Sequence, residues 1–292
     1  MSIKKVLVLG SGLMGSGIAQ VCAQAGIQVS LNDVSQEALD RAIKNISWSV
    51  GKLVEKGALT EAAETITGRI RQVNDFSAAS QVDLVIEAVF ENMELKQEVF
   101  KKLDQICGIE TLMASNTSAI AITELAAITT RPQKVLGLHF FSPVPMMQAV
   151  EVIKGMVTSE ETALKGRDFV LQIGKEPIMV NRDVAGFVIN RINLPANMEA
   201  MRLVEQGVAT VEDIDKGLRL AAGRKMGIFE TGDMVGLDVT YGALMAMYKE
   251  TGDPRWYPPL LLRRKVKAGH LGRKTGKGWY EYNSDGSKKY VI

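Results

Sequence analysis

His139 and Glu151 are the pair in this chain whose types and spacing could move a proton. An imidazole titrates near neutral pH and passes protons in both directions. A carboxylate bonded to it would fix the tautomer and stabilise the imidazolium. The two lie in apolar runs, Leu136-Gly137-Leu138-His139-Phe140-Phe141 and Val150-Glu151-Val152-Ile153, separated by a turn at Ser142-Pro143-Val144-Pro145. A strand returning beside its predecessor would bring Glu151 opposite His139. Alone, His139 reads as a packing group, and Glu151 is a charge stranded among valines and isoleucine. Two more polar groups could donate to an oxygen: Ser118, just past Thr111-Leu112-Met113-Ala114, and Asn190, in the first turn of a long helical pattern. Each has another use, Ser118 as a helix N-cap for Ile120 onward and Asn190 as a cap or a domain–domain hydrogen bond. A base, its orienter and two donors suit oxidation of a secondary alcohol, provided a hydride acceptor lies beside the carbon.

A site for such an acceptor stands at the start of the chain. The run Val6-Leu7-Val8-Leu9 breaks into Gly10-Ser11-Gly12-Leu13-Met14-Gly15 and resumes as a helical pattern. In a strand-turn-helix of this kind the first glycine makes the turn, the second lets backbone approach a pyrophosphate and the third lets helix pack on strand. The helix N-terminus then faces the anion. A second strand, Gln28-Val29-Ser30-Leu31-Asn32, closes on Asp33, which follows Gly15 by slightly less than the roughly 20 residues expected for a carboxylate on a ribose 2′-hydroxyl. A carboxylate there disfavours a 2′-phosphate, so the expected cofactor is NAD rather than NADP.

The elements that must hold these groups alternate. Strands are expected at Val82 to Val89, Thr111 to Ala114, Lys134 to Phe141, Met147 to Ile153 and Glu176 to Val180, with helices between them. Ser35 is a candidate N-cap for a helix reaching about Lys56, and a further helix is expected near Thr60. Strands alternating with helices imply a parallel sheet whose ligands sit at the strands' carboxyl ends, where Asp33, Glu91, Ser118 and His139 all fall. Residues 1–185 therefore read as an α/β Rossmann-type domain. From Phe187 the period turns helical, with Leu194, Met198, Met201, Leu203 and Val204 on one face, and residues 186–292 read as an all-α domain. Within it Thr210 and Asp213 resemble a capping box, the following helix ends at Gly223, and Met234 to Tyr248 suits either a dimer interface or core.

Composition narrows the function classes. The chain has 292 residues, 46% of them hydrophobic, and a net charge of +2, which gives no large field for nucleic acid or anionic lipid. Cys22 and Cys107 fit neither a redox pair nor a metal cluster, and with two histidines no metal site is expected. His270 belongs to a solvated basic loop. Lys4-Lys5, an apolar stretch and Ala23-Gln24-Ala25 imitate a secretory signal, but cleavage there would destroy the nucleotide site, so a cytoplasmic protein without a membrane span is expected.

Several motifs in order carry a resemblance: Gly10 to Gly15, Ile86-Glu87-Ala88-Val89-Phe90-Glu91-Asn92, Ser115-Asn116-Thr117-Ser118, Leu138-His139-Phe140-Phe141-Ser142-Pro143, Gly186-Phe187-Val188-Ile189-Asn190-Arg191 and Gly276-Lys277-Gly278-Trp279-Tyr280. Over almost the whole chain these resemble the short-chain (S)-3-hydroxyacyl-CoA dehydrogenases, the bacterial 3-hydroxybutyryl-CoA dehydrogenases among them. The resemblance implies His139 as acid and base held by Glu151, with Ser118 and Asn190 on the substrate oxygen. It also implies Glu91, Lys96, Ser118, Ser142 and Lys274 near NAD, Ser49 and Lys56 at the coenzyme A end, and a homodimer formed through the helical domain. Position 142 is Ser where many members have Asn, and Ile228 stands where many have Pro. Two other readings keep the architecture: a dehydrogenase of another β-hydroxyacid, and a non-catalytic NAD-binding protein like λ-crystallin.

Overall fold

The computed structural model describes residues 2–289. The chain divides into two compact units, one up to Val184 and one from Ala185 on.

The first unit is built on β1 (Lys5–Leu9), α1 (Leu13–Gln24), β2 (Gln28–Asn32), α2 (Gln36–Glu55), α3 (Ala63–Thr67), β3 (Ile70–Val73), β4 (Leu84–Glu87), α4 (Met93–Ile106), β5 (Leu112–Ser115), α5 (Ile122–Ala127), β6 (Val135–Phe140), β7 (Ala149–Ile153), α6 (Glu160–Gln172) and β8 (Glu176–Val180). The eight strands form one sheet in the order β3-β2-β1-β4-β5-β6-β7-β8. β7 pairs antiparallel with β6 and parallel with β8, and every other pairing is parallel. The order reverses between β1 and β4, the crevice where open α/β sheets take ligands. Strands covered on both faces need continuous apolar runs, and β4, β5 and β6 are buried along their whole length. Each Leu, Ile or Val so buried contributes about 1.5–3 kcal/mol relative to exposure. Helix starts are fixed by side chains: Ser35, Asn92 and Ser159 each accept a backbone N–H three residues on.

Two elements of the first unit depart from expectation. β3 carries no apolar run; in Ile70-Arg71-Gln72-Val73 only Ile70 is buried, because this is an edge strand. It is held at its end by Asn32, whose side-chain amide donates to the carbonyls of Val73 and Asp75, both at 3.0 Å. The helix expected near Thr60 begins at Ala63 instead. Cys22 and Cys107 are buried free thiols; burial pushes the first up to about 12 and the second to about 11.

The second unit contains α7 (Ile189–Glu205), α8 (Val211–Ala222), α9 (Ile228–Val235), α10 (Leu237–Thr251) and α11 (Leu260–Lys267). Pro195 lies inside α7, and α8 ends on Gly223 in the left-handed conformation. Only half of the expected capping box forms. The Asp213 N–H donates to the Thr210 hydroxyl, but the Asp213 carboxylate accepts from that hydroxyl rather than from the Thr210 backbone. Met234 to Tyr248 is not one helix, since Gly236 at φ 111° separates α9 from α10, and Leu237, Leu244 and Met247 of this stretch are buried.

After α11 the chain leaves helix and runs as a loop with isolated antiparallel bridges, Gly272 to Lys277, Lys277 to Glu281 and Tyr282 to Lys288. Buried carboxylates clamp it. Asp233 accepts from the Trp279 and Tyr280 backbones and the Tyr282 hydroxyl, and Asp215 accepts from the Phe229 and Glu230 N–H groups and the Tyr280 hydroxyl. Glu230 accepts from the Gly227 N–H and pairs with Arg219 and Lys288. Trp256 is buried, with the guanidinium groups of Arg191 and Arg255 5.5 and 5.6 Å from its ring centroid, and Trp279 packs on Phe229 with ring centroids 4.7 Å apart.

Candidate active site

The turn after β1 is shaped by what a side chain would strike. Gly10 has φ 92°, and a Cβ there would lie 2.6 Å from the Ala88 carbonyl oxygen of the neighbouring strand end. A Cβ on Gly15 would fall 1.8 Å from the Gly10 carbonyl oxygen, whereas one on Gly12 would meet nothing within 4 Å. The turn and helix therefore close on each other and leave the space over Gly12 open. Gly12 is also the N-cap of α1 and offers no side chain to its first N–H groups, which suits an anion.

Asp33 completes this corner. Its Oδ2 accepts from the Ser11 N–H at 2.9 Å and the Ser11 hydroxyl at 2.8 Å, and its Oδ1 accepts from the Ser35 N–H at 3.1 Å. Partial burial pushes the carboxyl up, but these bonds outweigh it and hold Asp33 below the ordinary range. These bonds fix the carboxylate at the edge of the turn, where an ionised acceptor suits a sugar hydroxyl. Leu13 is exposed and Met14 half-buried beside the turn. An open glycine cradle, a bare helix N-terminus and an ionised Asp33 fit the pyrophosphate and ribose of NAD.

Farther along the same carboxyl edge of the sheet, His139 on β6 is paired in register with Glu151 on β7. His139 Nδ1 lies 2.7 Å from Glu151 Oε2, and both residues are buried. Phe141 tilts against the imidazole with centroids 4.6 Å apart. The reversal of β7 is what makes this pair, because neighbouring strands present directly opposed residues on the same face. Asn116 ties the end of β5 to this spot, its Oδ1 accepting from the Phe140 N–H at 2.9 Å. Lys175, buried next to β8, donates to the carbonyls of Val144 at 2.8 Å and Met147 at 2.6 Å, and so holds the turn that follows Ser142. Ser142 itself is half-buried directly after β6.

Ser118 does not cap a helix. α5 starts later, with Ala121 at its N-cap, and the hydroxyl that accepts from the Ala119 and Ile120 N–H groups belongs to Thr117. Ser118 is held from behind instead, its N–H donating to Glu91 Oε1 at 2.9 Å. Lys96 is buried with its ammonium on Glu87 and Glu91. Asn116, Thr117, Glu87 and Lys175 were not picked out by residue type. The first three lie inside motifs, but their partners come from other strands, so nothing in local spacing marks them.

The remaining expected residues lie on other elements. Ser49 on α2 accepts from the Gln20 side chain at 3.0 Å, and Lys56 is exposed at the end of the same helix. In the second unit Asn190 is the second residue of α7, whose N-cap is Val188, so it is not the cap. Lys274 pairs with Asp238 at 2.6 Å. His270 is half-buried at the end of the basic stretch. No helix among the described residues is long and apolar enough to cross a membrane.

Comparison with known proteins bears on the whole chain. The family model for the NAD-binding domain of 3-hydroxyacyl-CoA dehydrogenase matches residues 5–184, and the one for the C-terminal domain matches residues 186–282. The chain is 44% identical to a probable 3-hydroxybutyryl-CoA dehydrogenase of Bacillus subtilis, covering 97% of this chain and 98% of the relative. It is 41% identical to the 3-hydroxybutyryl-CoA dehydrogenase of Clostridioides difficile, covering 96% and 99%. Among solved structures, (S)-3-hydroxybutyryl-CoA dehydrogenase PaaH1 from Ralstonia eutropha superposes with a TM-score of 0.89 at 40% identity, covering 97% of this chain and 100% of that one. M. tuberculosis FadB2 gives 0.93 at 39%, with the same coverage.

Proposed function

The chain belongs to the 3-hydroxyacyl-CoA dehydrogenase family, and we propose that its substrates are the four-carbon pair (S)-3-hydroxybutyryl-CoA and acetoacetyl-CoA. It is an NAD-dependent oxidoreductase that interconverts 3-hydroxyacyl-CoA and 3-oxoacyl-CoA. The observation that carries the chemistry is the 2.7 Å contact between His139 Nδ1 and Glu151, on the same sheet as the glycine cradle.

NAD, when bound, supplies the nicotinamide carbon that accepts the hydride leaving C3. His139 takes the hydroxyl proton on Nε2, since Nδ1 is committed to Glu151, and Glu151 stabilises the imidazolium that results. Ser118 donates to the substrate oxygen, where negative charge gathers as the proton leaves, and the family pattern assigns Asn190 the same task. In the reducing direction the imidazolium returns its proton to that oxygen. Gly10, Ser11, Gly12, Leu13, Met14, Gly15 and Asp33 hold the adenosine and pyrophosphate. Glu91, Lys96, Ser142 and Lys274 are carried over by the family pattern as the nicotinamide side, and Ser49 and Lys56 as the coenzyme A side, a lysine being a suitable point charge for its phosphates. We assign a cytoplasmic homodimer formed through the helical unit. Exposed apolar side chains on three of its helices, Ile192, Leu220 and Val239, support that assembly, and light scattering tests it.

The function is tested by the loss of NADH absorbance on mixing the purified protein with acetoacetyl-CoA, beside NADPH and beside free acetoacetate. Rapid loss with NADH and the thioester alone is the expected result. No loss in protein that binds NADH would overturn the four-carbon assignment, and a series of longer 3-oxoacyl thioesters would then find the chain length.

A further inference from the structure

Asn116 is the first residue past the carboxyl end of β5, half-buried, and it is pinned from both sides. Its backbone N–H donates to the Glu87 carbonyl oxygen at the end of β4, at 2.7 Å, and its side-chain Oδ1 accepts from the Phe140 N–H at the end of β6, at 2.9 Å. The bond to Phe140 also settles which way round the amide lies, since only its oxygen can accept. The other branch, Nδ2, donates to no group among the described residues. Asn32 shows the contrast, with its Nδ2 taken up by the carbonyls of Val73 and Asp75.

The Phe140 N–H calls only for an acceptor. A carboxylate or a hydroxyl would serve it as well, so the bond to β6 does not explain an amide at this position. What the amide adds is a pair of N–H donors at the carboxyl edge of the sheet. His139 immediately precedes Phe140, and Ser118 lies two residues beyond Asn116, so these donors stand between the base and the hydroxyl assigned to the substrate oxygen.

Sheet order says what they would meet. In β2-β1-β4-β5-β6 the glycine cradle follows β1 and Asp33 follows β2. With the pyrophosphate on the cradle and the adenosine ribose on Asp33, the nicotinamide half has to run the other way, past the ends of β4 and β5, to bring its ring beside a substrate carbon at His139. Neighbouring strands lie about 4.8 Å apart, so β5 is roughly 10 Å from β1, about the span of a ribose and its ring. Asn116 stands where that path ends. The ribose stays nearer the pyrophosphate, and the substrate oxygen already has His139 and Ser118. The acceptor left for Asn116 is the carboxamide oxygen of the ring.

We propose that Asn116 binds NAD, with Nδ2 donating to the nicotinamide carboxamide oxygen while Oδ1 ties that contact to the strand of His139. This rests on NAD and His139 meeting at this edge, as assigned above.

The test is a calorimetric titration of the full-length protein with NADH and with its thionicotinamide analogue, in which sulfur replaces the carboxamide oxygen and accepts hydrogen bonds poorly. Asn116→Asp keeps an acceptor for the Phe140 N–H and loses the donors. Its added charge acts equally on two cofactors of equal charge, so it cancels in the ratio of their affinities. Wild type is expected to bind the thio analogue about fivefold more weakly than NADH, the effect of one neutral hydrogen bond. Asn116→Asp is expected to melt like wild type, to bind NADH more weakly, and to hold the two cofactors within about twofold of each other. A role confined to joining β5 to β6 would not move that ratio.

A ratio unchanged in the variant would put a different donor on the carboxamide, and equal affinities in wild type would leave it with none. Either result overturns the proposal, as does wild-type NADH affinity in Asn116→Asp. If that variant does not fold, Asn116→Ala takes its place in the same titrations, and a second unfolded variant would make the side chain structural and end the proposal. A wild-type protein that binds neither cofactor would overturn the NAD reading itself, and the role of Asn116 with it.

Discussion

A single carboxylate separates a packed histidine from a working base in this chain. His139→Gln keeps the size of the side chain but cannot take a proton, so kcat is expected to fall by roughly 10²–10⁴, with NADH affinity by fluorescence nearly unchanged. Turnover equal to wild type would remove His139 from the mechanism. The glycines of the turn divide in the same way. A methyl on Gly15 would sit 1.8 Å from the Gly10 carbonyl oxygen, so Gly15→Ala is expected to lower the melting temperature sharply or prevent folding. Gly12→Ala meets no protein atom within 4 Å and is expected to melt like wild type, yet to bind NADH about tenfold or more weakly, because the methyl takes space the pyrophosphate needs. Equal NADH affinity in that variant would place the phosphates elsewhere. His139, Glu151 and the glycines were legible in the sequence because each breaks a local pattern, a charge in an apolar run or glycines after a strand. Lys96 was legible only as a family position, and its burial between Glu87 and Glu91 was not, since a lysine on a helix ordinarily faces water.

Elements were legible in proportion to how fully they are buried. β4, β5 and β6, covered on both faces, announce themselves as apolar runs, and the return of β7 follows from a proline-marked turn. The edge strand β3 shows only one buried residue and was missed. In the second unit α7 and α8 could be read from period and capping and the rest only as helical in general, but after α11 the chain leaves helix and is held by buried carboxylates that no periodicity reveals. Glu230 gives that loop a pH dependence. Burial pushes its carboxyl up, but Lys288, the Gly227 N–H and Arg219 outweigh this and bring it from 4.5 to about 2. A group depressed on folding adds stability that is complete above its unfolded value and is lost as pH falls toward the folded one. Unfolding free energy should therefore drop by roughly 3 kcal/mol between about pH 4.5 and pH 2 through this group. Asp233, which burial raises despite its hydrogen bonds, works in the opposite sense. Denaturant titrations at stepped pH check it: Glu230→Gln should flatten the acid decline, and an unchanged decline would assign the acid lability to other carboxylates.

At the scale of the whole molecule, the α/β character of one half and the helical character of the other could be read from the change of hydrophobic period near Phe187. The structure divides at nearly the same place, between Val184 and Ala185. How the two halves respond to denaturant is written into the burial of the tryptophans. Trp48 in the first unit is 70% exposed, whereas Trp256 and Trp279 in the second are 2% and 8% exposed. An exposed indole already emits at long wavelength, so unfolding changes it little, while the buried pair shifts to the red when water reaches it. Intrinsic fluorescence is thus a reporter of the helical half, and circular dichroism in the far ultraviolet sums both. A red shift that precedes or follows the loss of ellipticity would show the halves melting separately, and coincident curves would show one cooperative unit.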